Sequence, residues 1–428
     1  MSELKAGKYL AYPEYKDSGV EWLGKVPEHW EVKRISYFAL LKSGDSIVSE
    51  QIEVEGDYPV YGGNGHRGYT NRFNHDGRFI LIGRQGALCG NINYGYGKFW
   101  ASEHAVVVHP TLDVNIKWLG DTLRAMDLNQ YNVSAAQPGL AVANITCLKA
   151  PFPKIDEQKS IANFLDHETA KIDTLIEKQQ QLIKLLKEKR QAVISHAVTK
   201  GLNPQAPMKD SGVEWLGEVP AHWIASTLKH YSEVIDCKHI TAEFFDDGIP
   251  LASISEVKKW FVDLSTAKYT SEKYYNELIG GGREPKVGDI IYSRNATVGE
   301  AAIVSEELPP FAMGQDVCLI RLSNGLLPLF AMYVLHSGVI SQQLELAMVG
   351  STFKRINVDN IRNFAFVIPP LSEQDLIVSE LEALTSKYDV LINNATNAIE
   401  LMKERGTALI SAAVTGKIDV RNWRQPND

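Results

Sequence analysis

Two glycine-rich stretches in the first half of the chain combine aromatic, amide and cationic side chains. They read YPVYGGNGHRGYTNRF (58–73) and GRQGALCGNINYGYGKFW (83–100). An Arg can donate two hydrogen bonds to guanine, and an Asn or Gln can pair with adenine, in the major groove of DNA. Glycine allows a backbone to approach a ligand closely. The candidate DNA-binding residues in these stretches are Tyr61, Asn64, His66, Arg67, Arg84, Gln85, Asn91 and Lys98.

The second half of the chain has polar stretches of the same character, YSRNATVG (292–299) and GSTFKRIN (350–357). The candidates there, with one further Gln between the two stretches, are Ser293, Arg294, Asn295, Gln315, Thr352, Lys354 and Arg355. The alternative for each single residue is a solvated turn in which glycine satisfies only the backbone geometry. Taken together, the loops favour contact with nucleic acid.

No set of residues predicts catalysis by this chain. The Gly-Lys pairs at 97–98 and 416–417 lack the Ser or Thr that ends a phosphate-binding loop. The LPPF stretch has Leu308 where an adenine methyltransferase needs Asn or Asp. The triplets at 256–258 and 284–286 fit a nuclease pattern that is too short to discriminate. The eleven His residues form no H-x-x-x-H pair, so we expect no metal site. These absences favour a protein that recognises something, without catalytic residues or a cofactor of its own.

Composition and charge limit the class of protein. A chain of 428 residues fits two or three domains, and 44% hydrophobic residues allow each domain a core. The formal net charge of −8 argues against unaided binding to nucleic acid, because Lys and Arg supply most non-specific affinity. No apolar run reaches the length of a membrane span, and the N-terminus lacks a signal-peptide pattern. The four widely spaced cysteines are expected to be buried thiols in a cytoplasmic protein.

The chain contains two duplications. KDSGVEWLGKVPEHW (16–30), the first short repeat, returns as KDSGVEWLGEVPAHW (209–223), the second short repeat, with 13 of 15 positions unchanged. PKIDEQ (153–158) matches PPLSEQ (369–374), and ISHAVT (194–199) matches ISAAVT (410–415). A short repeat, a variable block and a long repeat therefore occur twice. The variable blocks carry short β-type runs such as RFILIG and KVGDIIYSR, which indicates α+β domains with many loops.

The long repeats are helical by the spacing of their apolar residues. Residues 157–198 make a helix of roughly 60 Å at 1.5 Å per residue. Alternating steps of four and three predict a coiled-coil seam. The predicted seam positions are Ile161, Leu165, Glu168, Ile172, Leu175, Gln179, Leu182, Leu186, Lys189 and Val193, and Ile377, Leu381, Leu384, Tyr388, Leu391, Ala395, Ala398, Met402, Arg405 and Leu409. The two seams favour each other as partners, and the alternative is two helices in separate bundles.

The order of these motifs, together with GDIIYSRNATVGEAAIV (288–304), resembles the specificity (S) subunit of type I restriction–modification enzymes. The resemblance spans essentially the whole chain. It implies two loop-rich α/β target recognition domains joined by two long antiparallel coiled-coil helices, with pseudo-two-fold symmetry. Each short repeat would then lie beside the end of a long helix, with the repeated Trp residues as packing anchors or, alternatively, as ordinary core residues.

The same resemblance implies the partners. Each recognition domain would read half of a bipartite site on double-stranded DNA, and the helices would set the gap between the half-sites. Two methyltransferase (M) subunits that use S-adenosylmethionine would bind, and nuclease-translocase (R) subunits that use ATP and Mg would join them. No membrane partner is expected. The alternatives are the recognition subunit of a methylation-only complex, a coiled-coil scaffold without DNA contact, and a self-sufficient nuclease or methyltransferase.

The predicted segments follow from the repeats. They are an N-terminal segment (1–30), the first block (31–152), the central helix (153–203), the repeated segment (204–223), the second block (224–368), and the C-terminal helix and tail (369–428).

Overall fold

The computed structural model describes residues 9–86, 88–132, 139–348 and 355–425. The chain divides into two compact units, unit 1 with Met1–Gln180 and Thr396–Asp428, and unit 2 with Gln181–Ala395. Each unit has its own buried apolar core. In the described part of the chain, no helix has both the length and the apolar character that crossing a bilayer requires.

Two of the α-helices, α3 and α8, are far longer than the rest. The α-helices of the described residues are α1 Ile116–Ala125, α2 Val142–Thr146, α3 Ile155–Lys200, α4 Glu272–Leu278, α5 Pro328–Leu335, α6 Gly338–Met348, α7 Val358–Arg362 and α8 Leu371–Val414. The long helices α3 and α8 are the two predicted from the long repeats. Gly201 and Gly416 follow them at a φ of 75°, a left-handed conformation that glycine adopts without strain and that commonly ends a helix.

The first block is a mostly antiparallel sheet that carries the short helices α1 and α2. The strands of unit 1 are β1 Tyr15–Asp17, β2 Lys25–Pro27, β3 Glu31–Arg34, β4 Ala39–Ser43, β5 Tyr58–Gly62, β6 Gly65–Thr70, β7 His75–Gly83, β8 Ile92–Ala101, β9 Ala105–Pro110 and β10 Lys149–Phe152. The main sheet has the order β4-β9-β7-β8-β5-β6, with β5 parallel to β8. Strands β3 and β10 pair with each other, so the block begins and ends at one two-stranded ribbon.

The second block divides its strands between two sheets. The strands of unit 2 are β11 Met208–Asp210, β12 Glu218–Pro220, β13 Ile224–Thr227, β14 Ser232–Asp236, β15 Ile249–Ala252, β16 Lys268–Thr270, β17 Ile290–Ser293, β18 Ala301–Ile303, β19 Ala312–Met313, β20 Val317–Leu322 and β21 Ala365–Ile368. The sheets have the orders β14-β20-β17-β18 and β16-β15-β19. Strands β13 and β21 pair and close the block, as β3 and β10 do in the first.

The two blocks share a core that their sequences do not reveal. Strands β4, β9, β7 and β8 lie in the same order, all antiparallel, as β14, β20, β17 and β18. In both cases the first strand along the chain pairs with the last. The blocks differ in their additions, which are the β5–β6 hairpin in the first and the sheet of β15, β16 and β19 in the second. The duplication therefore extends from the repeats to the variable blocks.

The long helices pack antiparallel within each unit. In unit 1, Ile161 and Leu165 near the start of α3 share a buried cluster with Leu409 near the end of α8. In unit 2, Ile194 near the end of α3 shares a cluster with Ile377 near the start of α8. The start of each helix thus lies with the end of the other.

The predicted seam is wrong at several central positions. Leu175, Leu182 and Leu391 are 49%, 42% and 49% exposed, and the following residue in each case, such as Ile176, is more buried. The less exposed stripe on α3 runs through 161, 165, 168, 172, 176, 179, 183, 186, 190, 194 and 197. Its average step is that of a straight helix, 3.6 residues, whereas the prediction assumed the 3.5 residues of a supercoil.

Each short repeat docks beside the end of a long helix, as predicted. A Cβ on Gly416 would lie 2.4 Å from Pro27 Cδ, and a Cβ on Gly201 would lie 3.1 Å from the Trp223 ring. Trp30 and Trp223 are fully buried. These two Trp residues are packing anchors at the helix ends and core residues at the same time.

The cysteines are free thiols. Cys89, Cys237 and Cys318 are buried as predicted, whereas Cys147 is exposed, which corrects the prediction for that residue.

Candidate nucleic-acid interface

In the first block, several loops meet at one end of the sheet. Strand β9 runs antiparallel to both β4 and β7, with Ser43 opposite Val106 and Gly83 opposite Ala105. The ends of β4 and β7 therefore lie beside the start of β9. We call the segments there, residues 44–48, 84–91 without the undescribed Ala87, 102–104 and 139–140, the first loop end.

Arg84 connects the segments of the first loop end. Its backbone N–H donates to the carbonyl of His104 at 2.9 Å, and its own carbonyl accepts from the N–H of Leu140 at 2.9 Å. Its guanidinium Nη1 donates to the Ser43 hydroxyl at 3.2 Å. The side chain is half-buried.

The β5–β6 turn packs closely onto the first loop end because Gly83 has no side chain. A Cβ on Gly83 would lie 2.0 Å from the Gly63 carbonyl oxygen, closer than any side chain can come. This contact of two backbones brings Asn64 beside Asn91, with Nδ2 of Asn91 3.4 Å from Oδ1 of Asn64. Both amides are exposed, so their remaining donors and acceptors face outward.

The other predicted residues of the first block are placed as follows. His66 and Arg67 are exposed on β6, and Gln85 is exposed and forms an isolated bridge with Gly139. The Tyr61 ring packs edge-on against Phe99 at 5.5 Å, and burial raises the pKa of its hydroxyl.

Lys98 lies on β8, opposite Asp76 near the start of β7 and four residues before the 102–104 segment of the first loop end. Its ammonium group lies 4.7 Å over the Phe73 ring. Two further cation–π pairs, Arg78 with Tyr96 and Arg72 with Trp100, are formed by residues outside the candidate list.

The second block has a corresponding loop end. Asp236 at the end of β14 is opposite Cys318, and Ser293 at the end of β17 is opposite Val317. The segments that meet there, residues 237–241, 294–299, 314–316 and 355–356, form the second loop end. They hold the predicted Arg294, Asn295, Gln315 and Arg355, and Ser293 adjoins them.

Arg294 is the most deeply buried cation of the second loop end, at 3% exposure. Its Nη2 lies 2.7 Å from Oδ1 of Asp236 and 3.5 Å from Sγ of Cys237. Burial, with the Asp236 charge adding to it, raises the pKa of the Cys237 thiol to about 11, so this cysteine is a neutral thiol and no nucleophile. Asp236, Cys237 and His239 are close enough to share an ion, but the Arg294 guanidinium already pairs with two of them.

The remaining residues of the second loop end are held by internal hydrogen bonds. Asn295 donates to Asp316 and forms an isolated bridge with the exposed Arg355. Gln315 is exposed and donates to the Thr241 hydroxyl at 3.0 Å. Thr352 and Lys354 lie outside the described residues, so their prediction has no structural counterpart here.

Ser293 and Arg294 are buried, which bears on their predicted role. The Ser293 hydroxyl contacts the Asn295 carbonyl at 3.2 Å, and Arg294 is ion-paired. Contact of these two side chains with DNA stays a prediction, and it requires the residues that bury them to move away. Sequence reasoning missed Asp236 and Cys237, the partners of Arg294, because the strand pairing that brings them together spans more than fifty residues.

The two blocks have the same core strand arrangement but dissimilar polar loop ends, and each block is attached to a pair of antiparallel helices. This arrangement defines a duplicated recognition protein. The family model for the type I restriction modification DNA specificity domain matches residues 27–185 and 248–401, and the chain belongs to this family. Its role is DNA sequence specificity.

Individual relatives agree with this assignment. The type I restriction enzyme EcoprrI specificity subunit of Escherichia coli is 50% identical over 147 residues, 33% of this chain and 36% of that subunit. A putative type I specificity subunit of Haemophilus influenzae is 27% identical over 84% of this chain and 87% of its own. The MjaVIII specificity subunit of Methanocaldococcus jannaschii is 24% identical over 93% and 95%.

Solved structures show the same fold. A chain from a structural study of complex assembly and conformational transition of the type I R-M system has a TM-score of 0.68, with 91% of this chain and 98% of that chain covered at 14% identity. The HsdS subunit from Thermoanaerobacter tengcongensis has a TM-score of 0.50 over 92% and 98%, also at 14% identity.

Proposed function

We propose that this chain is the non-catalytic subunit that selects the DNA site of a type I restriction–modification complex in the cytoplasm. Each block reads one half of a bipartite site on double-stranded DNA. The observation that carries the proposal is the shared strand order of the two blocks, which gives the molecule two loop ends of the same construction with different side chains. Two such loop ends suit the recognition of two different half-sites.

The long helices set the spacing between the half-sites. The 46 residues of α3 make a rod of roughly 70 Å at 1.5 Å per residue. Half-sites read from one face of DNA lie about one turn apart, near 34 Å. A rod of that length is sufficient for the spacing.

The partners supply catalysis and much of the electrostatic affinity. Two methyltransferase subunits with S-adenosylmethionine bind the chain, and nuclease-translocase subunits with ATP and Mg complete the restriction complex. The net charge of −8 supports a contribution from partners, because Lys and Arg contacts to phosphates dominate the affinity of most DNA-binding proteins. A methylation-only complex uses the same chain without the nuclease subunits.

Footprinting of the complex with its methyltransferase partner tests the proposal. The expected result is two recognised half-sites separated by positions at which the base does not matter. A single continuous recognition sequence, or no sequence preference at all, overturns the proposal, and the latter result favours a scaffold without DNA contact.

The spacing is tested separately by removing seven residues from each long helix. This shortens the rods by about 10 Å, and the gap should shrink by about three base pairs at 3.4 Å each. A matched control replaces the same residues by helix-forming residues without changing the length. An unchanged gap after the deletion contradicts the spacer role.

A further inference from the structure

Arg84 and Arg294 occupy the same position in the two shared cores. Each follows the second core strand, β7 or β17. The N–H of Arg84 donates to the carbonyl of His104, just before β9, and the N–H of Arg294 donates at 2.8 Å to the carbonyl of Asp316, just before β20.

Their carbonyl groups also have equivalent partners. The carbonyl of Arg84 accepts from Leu140, which lies just before α2, and that of Arg294 accepts at 3.0 Å from Ile356, which lies just before α7. The backbone at the two loop ends is therefore built in one way, although the surrounding sequences differ.

The side chains of the two arginines have different partners at the end of the first core strand. Arg294 meets the carboxylate of Asp236 at 2.7 Å, whereas Arg84 meets the neutral hydroxyl of Ser43 at 3.2 Å. A buried charge that loses its partner is strongly destabilising, so Arg294 is fixed. A single hydrogen bond to a hydroxyl contributes far less, and Arg84 forms no ion pair with the described residues.

We propose that Arg84 is a DNA-contacting residue of the first block, and that Arg294 is a positioning residue that holds the second loop end in shape. On binding, the Arg84 guanidinium leaves Ser43 and donates to paired acceptors on DNA, which are guanine O6 and N7 or two phosphate oxygens. The position fits this role, since the exposed Gln85 is its neighbour and Asn91 of the same loop end pairs with the exposed Asn64 of the β5–β6 turn. This inference rests on the proposed function.

The test compares Arg84→Ala with wild type in the complex with the methyltransferase subunits, on a duplex that carries the site found by footprinting. The expected result is an affinity loss of roughly tenfold or more with an unchanged melting temperature of the complex. Wild type that lacks sequence-specific binding overturns the proposed function and this inference with it. Wild type that binds normally, with equal binding by Arg84→Ala, overturns the inference alone.

The role of Ser43 is tested by recreating the ion pair of the second block. Ser43→Asp should fix Arg84 and reduce the affinity, whereas the neutral Ser43→Asn should not. Ser43→Asp in the Arg84→Ala background should cause no further loss. Additive losses mean that the new carboxylate acts by repelling DNA, and they overturn the proposed release of Arg84.

Arg84→Lys distinguishes the two sources of acceptors. Loss of affinity together with relaxed specificity at one base pair identifies guanine, which needs the guanidinium fork. Retained affinity with an unchanged salt dependence identifies phosphate.

The positioning role of Arg294 has its own test. Arg294→Ala should lower the melting temperature and weaken the reading of every position in one half-site, and Arg294→Lys should restore much of both because it keeps a charge for Asp236. Loss of preference at a single base pair, at an unchanged melting temperature, means that Arg294 contacts DNA directly and overturns its positioning role.

Discussion

Gln158 and Gln374 make the same pair of hydrogen bonds in the two halves of the chain. Nε2 of each donates at 2.9 Å to the carbonyl of the proline five residues before it. Oε1 of each accepts, also at 2.9 Å, from the backbone N–H at the N-cap of a helix in the preceding block, Asn115 before α1 and Leu327 before α5. Both side chains are buried, so the Gln of each Glu-Gln pair anchors its block to the long helix.

The preceding Glu of the pair anchors the short repeat. His29 Nε2 lies 3.0 Å from Glu157, and His222 Nε2 lies 2.6 Å from Glu373. The two duplications are thus joined to each other by one recurring contact. This explains why both repeats kept these residues while the blocks between them diverged in sequence.

Replacement of Gln158 by Ala should destabilise the chain by about 1–3 kcal/mol, because it leaves the Asn115 N–H without its acceptor in a buried site. Urea unfolding measures the effect. Gln180→Ala, on an exposed position of the same helix, is the matched control and should change stability by less than about 0.5 kcal/mol. Equal effects of the two variants contradict the anchoring role.

The position of the less exposed stripe on α3 predicts unequal losses of stability at two adjacent residues. Ile176→Ala should destabilise by roughly 1–3 kcal/mol, since it removes partly buried methyl groups, whereas Leu175→Ala should cost less than about 1 kcal/mol. The comparison is made by thermal unfolding of the two variants. A larger cost at Leu175 supports the heptad seam and contradicts the straight-helix stripe.

Stability of the first block should fall on mild acidification. The rings of His75 and His109 lie 5.5 Å apart, and burial lowers the pKa of both. Below the ordinary His pKa of about 6.5 the unfolded chain takes up protons that the folded chain does not, so stability rises with pH through that window and is lost as pH falls. Unfolding at pH 5.5 and 7.5 measures this. His75→Phe, which keeps a ring stacked on Phe99, should reduce the pH dependence, and an unchanged dependence contradicts the assignment.

Gly83→Ala should weaken DNA binding by the assembled complex through one half-site. Its Cβ would meet the Gly63 carbonyl, so the β5–β6 turn must move and the Asn64–Asn91 pair must separate. The control is Gly97→Ala, where nothing lies within 4 Å and only the strain of a positive φ, about 1–2 kcal/mol, is added. Binding assays on duplexes altered in one half-site at a time measure the difference. Equal binding by both variants shows that the turn has no part in recognition.

The sequence was sufficient for the features that recur within it. The repeats predicted α3 and α8, the glycines that end them, and the position of the short repeats. The shared core was not predictable from the sequence. Its strand pairs, such as Ser43 with Val106 and Asp236 with Cys318, join residues far apart along the chain, and the paired residues differ between the two blocks. The candidate residues were chosen by residue type alone. Residue type does not predict whether a side chain is exposed, as Asn64 is, or buried, as Arg294 is. The shift from Leu175 to Ile176 was missed because a heptad and a straight helix differ by only one position over several turns.

The most direct test of two independent readers is a block exchange. Residues 31–152 are replaced by the corresponding block of another specificity subunit, and the methylated sequence is mapped for the wild-type and hybrid complexes. The sequence of one half-site should change, while the other half-site and the gap stay the same. A change in both half-sites, or a single continuous recognition sequence in either complex, contradicts the division of recognition between the two blocks.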